Sequence, residues 1–274
     1  MGKKRSIALS ILLVVILGGL TWEIWRNREP VYKGKPLSYW LKGMADSPAT
    51  GKDYPKMNEA VEALEQIGTN ATPTLLKMLR AHDGQLKLKL FTLVEKQRFI
   101  KIRFMRSETL NIAAGNGFLS MGSGANPALP ELIKIYDQCI SFFSQRVISS
   151  IFYHLGPEAK AAVPSLIRGT ASPDDYVRNE AINALGHIRS DPDIVVPALT
   201  KCLNDSVPRN RQNAAFALGA YGTNAIKAVP QLVAMLKDPA INSNSTPFFA
   251  NVRAGVEFAL ENISPEAAAK APLK

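Results

Sequence analysis

Between residues 156 and 236 one pattern is written three times, and it restricts the fold more than any other feature of the chain. Pro164, Pro197 and Pro230 stand 33 residues apart. Upstream of the second and third prolines, VRNEAINALG (177–186) and NRQNAAFALG (210–219) are offset by the same 33 residues. A fixed period of this size marks an array in which each repeat is one supersecondary unit.

The unit reads as a helix pair. In Arg178 to Gly186 the apolar residues Ala181, Ile182, Ala184 and Leu185 fall at helical spacing, with small side chains where a second helix must come close. Gly156, Gly186 and Gly222 are expected to end first helices, because glycine accepts the left-handed backbone of a helix stop. Each proline then opens a second helix, where its missing N–H would be unpaired in any case. Neither helix alone can bury its apolar stripe, whereas stacked neighbours bury them jointly.

Asp174 to Gly186 reads D-x-x-V-R-x-x-A-x-x-A-L-G, and V-P-x-L recurs at Val163, Val196 and Val229. This resembles the short HEAT-like repeats named after the bilin lyases, over roughly residues 58 to 262. The resemblance implies an all-α, right-handed α-solenoid of about five HEAT-like helix pairs, in a bacterial, membrane-anchored protein. It imports no lyase activity, since no bilin-handling residues are recognisable.

Taken in order, residues 1–26 form an N-terminal transmembrane or signal-anchor segment. Lys3, Lys4 and Arg5 precede an uncharged run from Ser6 to Trp22, and counting through Trp25 gives about 20 residues, enough to span a bilayer. Trp22 and Trp25 suit the interface, and the leading charges favour a cytoplasmic N-terminus with the solenoid outside, periplasmic or extracytoplasmic. A cleaved signal peptide, giving a secreted protein, is the competing reading.

Residues 27–57 read as a linker with a short capping helix around Pro36–Leu41, or else a partner anchor. Residues 58–263 are the solenoid and 264–274 a polar tail. Pro73 and Pro130 lie 57 residues apart, so an insertion of about two dozen residues interrupts the array within 81–109. From Lys77 to Arg106 there are nine Lys or Arg and two acids, which with Lys3, Lys4 and Arg5 account for the whole formal net charge of +10. Leu86, Leu90 and Leu93 sit at helical spacing there, and Ile100–Phe104 alternates like an extended connector.

Catalytic and cofactor signatures are missing from the chain. His82, His154 and His187 pair neither with one another at helical spacing nor with a following Glu, so the di-iron steps of some HEAT-repeat enzymes are lacking. No nucleophile elbow, phosphate loop or zinc spacing occurs. Cys139 and Cys202 are expected to be free and mostly buried. No cofactor, metal or small-molecule substrate is expected, and the chain does not read as an enzyme.

Two ladders remain. Arg178, Arg211 and Arg253 open first helices, where pairing with acids such as Asp174, Asp175, Asp205 or Asp238 is expected. Four residues after successive repeat prolines stand Lys77, Lys134, Arg168, Lys201 and finally Ala234. Stacking would set these cations in one row, suited to an acidic or extended protein partner by Coulomb steering, unless they are ordinary solvated lysines. The function expected is therefore a non-catalytic, membrane-tethered scaffold that binds a protein partner on its concave face. The alternative is a surface-binding module in which residues 85–106, with Lys87, Lys89, Lys101 and Arg103, lie on anionic lipid or cell-wall polymer. That segment also reads as a solvated helix. Nucleic acid is not expected, because no aromatic interleaving marks a stacking platform.

Overall fold

The computed structural model describes residues 29–46, 54–85, 87–89, 92, 106–236 and 252–271. The anchor at 1–26, the alternating segment 100–104 and the polar stretch 240–249 lie outside the described residues. Among those described, no helix is long and apolar enough to cross a membrane.

The structure is a mostly helical solenoid. Five helix pairs follow one another: α2 (Tyr54–Ile67) with α3 (Thr72–Leu79), α4 (Ser107–Met121) with α5 (Leu129–Asp137), α6 (Phe142–Leu155) with α7 (Val163–Gly169), α8 (Asp175–Ile188) with α9 (Pro192–Cys202), and α10 (Pro208–Ala220) with α11 (Val229–Met235). The first helices pack in series, α4 on α6, α6 on α8, α8 on α10, and α10 on α12 (Val252–Ile263). The second helices form a parallel layer, with α3 beside α5, α5 beside α7 and α7 beside α9. The leucine two residues after each repeat proline (Leu75, Leu132, Leu166, Leu199, Leu232) is fully buried. Each such side chain contributes on the order of 2 kcal/mol by leaving water.

The expected caps and ends differ in detail. Val31–Tyr32 (β1) and Lys35–Pro36 (β2) form a small antiparallel ribbon inside the stretch read as linker. It leads into α1 (Leu37–Asp46), which packs on α2 and α4 with Leu37 and Leu41 fully buried, so it covers the open end of the first pair. Glu29 accepts from the backbone N–H of Ser38 at 2.9 Å and caps that helix. At the other end, Pro265–Lys270 is a short helix (α13) rather than a loose polar tail. Ser264 caps it by accepting from Ala267 N at 3.3 Å, and Ala268 packs into the core.

Gly186 does not end a helix. The left-handed residues after first helices are Gly68, Gly122, Gly156, Arg189 and Gly222, with φ of 59°, 52°, 58°, 50° and 54°. Gly186 and Gly219 instead stand three residues before the stop, still inside α8 and α10, where the neighbouring first helix comes close. A Cβ on Gly186 would stand 2.7 Å from Ala217 Cβ and 2.9 Å from its Cα. Four of the five stops lead into a 3-10 segment: Gly68–Ala71, Gly122–Ala128, Gly156–Ala162 and Gly222–Ala228. Alanines in the middle and at the end of these turns, such as Ala159 and Ala162, are buried.

One side-chain position fastens the pairs together, and the sequence reading saw only part of it. Asn111, Gln145, Arg178 and Arg211 each stand eleven residues before a left-handed stop. Each donates to carbonyls at the end of the preceding second helix or the turn after it. Asn111 reaches Met78 O at 2.8 Å, Gln145 Tyr136 O at 3.1 Å, Arg178 Ser172 O at 3.0 Å, and Arg211 Asp205 O at 2.8 Å. Met78 O and Tyr136 O already accept turn bonds from Ala81 N and Cys139 N at 3.1 and 3.2 Å, and the side-chain donor adds to these at a helix end, where the regular intrahelical partner is lost. In the first pair the same position is Met57, which has no earlier second helix to hold.

The insertion leaves and returns at one point. Asp83 accepts from the backbone N–H of Ser107 at 3.0 Å, and Asn111 reaches back to Ala81 O at 3.4 Å. The register of the array therefore continues directly from α3 to α4. Residues 85, 87–89 and 92 are helical.

Both cysteines are free, but only one is buried: Cys139 is exposed in the turn after α5, at φ 49°. Burial pushes the Cys202 thiol up to about 11. A thiol reagent at pH 8 is expected to modify Cys139 within seconds to minutes and Cys202 only on unfolding. Two equally fast thiols in the native protein would contradict this placement.

Candidate partner-binding face

The second-helix layer is where the sequence placed a basic row, and the structure brings four of its residues to one kind of position. Lys77, Lys134, Arg168 and Lys201 occupy the last turns of α3, α5, α7 and α9, and all are exposed. Ala234 holds the same place in α11. A cation there also complements the negative end of the helix dipole, a structural role that needs no partner.

The row is not uniformly available. Arg168 donates to both carboxylate oxygens of Asp137 at 2.8 Å, and the same carboxylate accepts from Ser165 Oγ. Lys134 lies 3.6 Å from Glu131, which also receives Arg80. The middle of the row is thus largely neutralised by Glu131 and Asp137, acids that the sequence reading left out. Glu131 was detectable three residues before Lys134. Asp137 was not, because its partner lies 31 residues away with no pattern to link them. Among the described residues, Lys77 and Lys201 have no acidic partner.

The basic segment contributes little to this face. Lys87 pairs with Asp83 at 2.6 Å, beside the point where the insertion closes. Lys89 is exposed and Leu88 is 39% exposed. Lys101, Arg103, Leu86, Leu90 and Leu93 lie outside the described residues.

Two grooves flank α9 on this side. One, of about 280 Å³, runs between α7 and α9 and is lined by Ile167, Ala171, Ala198 and Cys202, with Lys201 at its edge. The other, of about 360 Å³, lies between α9 and the 3-10 turn of the next pair, lined by Val196, Pro197 and Ile226 with Lys227. Gln231 bridges beneath it, donating to Thr200 O at 3.2 Å.

The other ladder proves structural in a specific way. Arg178 makes a two-point ion pair with Asp205, Nε to Oδ2 at 2.6 Å and Nη2 to Oδ1 at 3.0 Å. The side chains are 15% and 6% exposed. The bond to Asp205 holds the guanidinium pKa above its ordinary value. Burial pushes the carboxyl up, but the bonds from Arg178, Val207 N and Asn210 outweigh it and leave the carboxyl below its ordinary value. Arg253 pairs within its own helix, with Glu257 at 2.8 Å. His187 is not beyond a helix end but inside α8, stacked on Tyr153 at 4.2 Å with Nδ1 donating to Tyr153 O at 2.6 Å. Among the described residues no group of His, Cys, Asp and Glu could hold a metal ion.

Residues 161–242 match the family described as HEAT repeats. Among solved structures the chain is similar to an engineered protein known from its crystal structure, at 20% identity, covering 84% of this chain and 96% of that one with a TM-score of 0.43. No curated protein matches the chain.

Proposed function

We propose that this HEAT-repeat solenoid is a non-catalytic scaffold that holds an extended, acidic protein segment on its second-helix face. The observation that carries the reading is the pairing of unneutralised Lys201 with the apolar grooves beside α9. HEAT repeats commonly serve protein–protein interaction, and stacked second helices give such a segment a continuous track. The tether is residues 6–25, with the solenoid on the extracytoplasmic side of a bacterial membrane. The motif at Asp174–Gly186 supports the assignment to repeats of the bilin-lyase type.

A second reading has one observation in its favour: Leu88 is exposed between Lys87 and Lys89, as in a basic amphipathic segment lying on an anionic surface. Site-specific photocrosslinking separates the two. A photoreactive amino acid is placed at Lys201, at Leu88, or at the exposed Ile112 on the first-helix face, each in the full chain in cells of the source. The scaffold reading expects protein adducts from the Lys201 position and none from Ile112. Lipid adducts from Leu88 with a silent Lys201 position would favour the surface module instead.

A further inference from the structure

Both grooves expose more apolar than polar surface and carry a cation at the rim, with Asn204 and Asp205 also lining the first and Asp193, Thr200 and Asn224 the second. Around the first, Ile167, Ala171, Ala198 and Cys202 supply carbon surface, and Thr170 satisfies itself by donating to Ile167 O at 2.8 Å. Cys202 Sγ is likewise turned inward to Ala198 O. The acid at this groove, Asp205, is held by Arg178 and by Val207 N at 2.8 Å, so it does not neutralise Lys201. Lys201 therefore stands as a solvated charge beside a slot with few polar demands. On the far side of α9, Ile226 is 51% exposed at the mouth of the second groove, next to Lys227.

We infer that α9 is a ridge straddled by one peptide, which places an apolar side chain in each groove and a carboxylate on Lys201. The inference rests on the scaffold reading and narrows it to a ligand chemistry. A helix with its side chains is about 10 Å across, and extended chain advances about 3.3 Å per residue. The two apolar residues of the ligand are therefore about three positions apart, with an Asp or Glu between or beside them. A basic peptide is disfavoured because it would set like charge against Lys201, and a purely apolar one would leave that cation partly desolvated without a partner.

The probe is a phage-displayed library of random dodecapeptides, selected on the purified full chain. The expected result is enrichment of sequences with two apolar residues two to four positions apart and an acid within the same stretch. Lys201→Glu is expected to shift the selection toward basic residues, and Ala171→Trp, which fills the first groove from an exposed position, to weaken binding of the selected peptides at least tenfold. Unchanged thermal melts would show that both variants are folded. Enrichment of basic or motif-free sequences, no enrichment over bare support, or recovery of the same acidic peptides on Lys201→Glu would overturn the inference. In that event, crosslinking at Lys201 still decides the broader reading: protein adducts there leave the scaffold standing without this ligand, and their absence removes both.

Discussion

Asp205→Ala is expected to lower the unfolding free energy by about 3 kcal/mol, the low end of what breaking a buried ion pair costs. The loss has two parts. Arg178, only 15% exposed, keeps a charge with no carboxylate opposite it, and Val207 N loses the acceptor that shapes the turn into α10. Asp205→Asn should fall between, since an amide oxygen still accepts from Val207. Urea melts of the three proteins test the order. The pH dependence follows from the same contact. The carboxyl titrates lower folded than unfolded, so between the two values the unfolded chain binds more protons and stability rises with pH. Its contribution is complete above the unfolded value of about 3.9 and is lost as pH falls through the depressed folded value. Asp205→Asn should therefore show a shallower acid limb than wild type below about pH 4. Identical acid limbs would mean that the pair is not formed in solution.

Gly186→Ala is expected to destabilise by about 2 kcal/mol and Gly186→Val by more, against the gain of up to about 1 kcal/mol that alanine brings to a helix interior. A side chain there meets the Cα of Ala217, and backbone cannot rotate out of the way. The helices α8 and α10 must separate, which opens the core on both sides. Gly115→Ala is the control. Its Cβ would meet only side-chain atoms, Val147 Cγ1 at 2.6 Å and Cβ at 3.9 Å, so the substitution should cost less than Gly186→Ala, by the smaller penalty of turning a β-branched side chain. Equal thermal shifts for Gly115→Ala and Gly186→Ala would contradict the close approach seen between α8 and α10.

The period of 33 made the helix pairs and their order legible, and the buried leucine after each proline confirms where the second helices begin. What misled the reading was the glycine after Ala-Leu. Gly156 and Gly222 are two periods apart, and the position midway between them is Arg189, which takes the left-handed conformation without being glycine. Aligning Gly186 with them joined two different physical needs under one residue type: a backbone turn in one case, missing volume in the other. Counting back from the stops would have revealed Asn111 and Gln145 as equivalents of Arg178 and Arg211. Their chemistry differs, so composition alone hid that all four donate to the same kind of carbonyl. The ribbon at 31–36 and the helix at 265–270 were too short for periodicity to register.

The basic row was legible as a position, whereas the acids that pair with its middle members went unread. Its four cations do share the last turn of successive second helices, which the proline offset predicted. Their neutralisation depends on Asp137 reaching across to Arg168, a contact between repeats that no local spacing announces. The grooves beside α9 were likewise invisible, since a groove is the space between helices rather than a property of either.

The closure at Asp83 and Ser107 separates connectivity from cohesion. Asn111 to Met78 O binds the first pair to the second, and Ser144 Oγ to Leu79 O at 2.7 Å binds the first to the third, both from outside residues 84–106. A cut peptide bond in that interval would break the chain while leaving the stack spliced across the gap, so two separately made halves have what they need to find each other and assemble as one body.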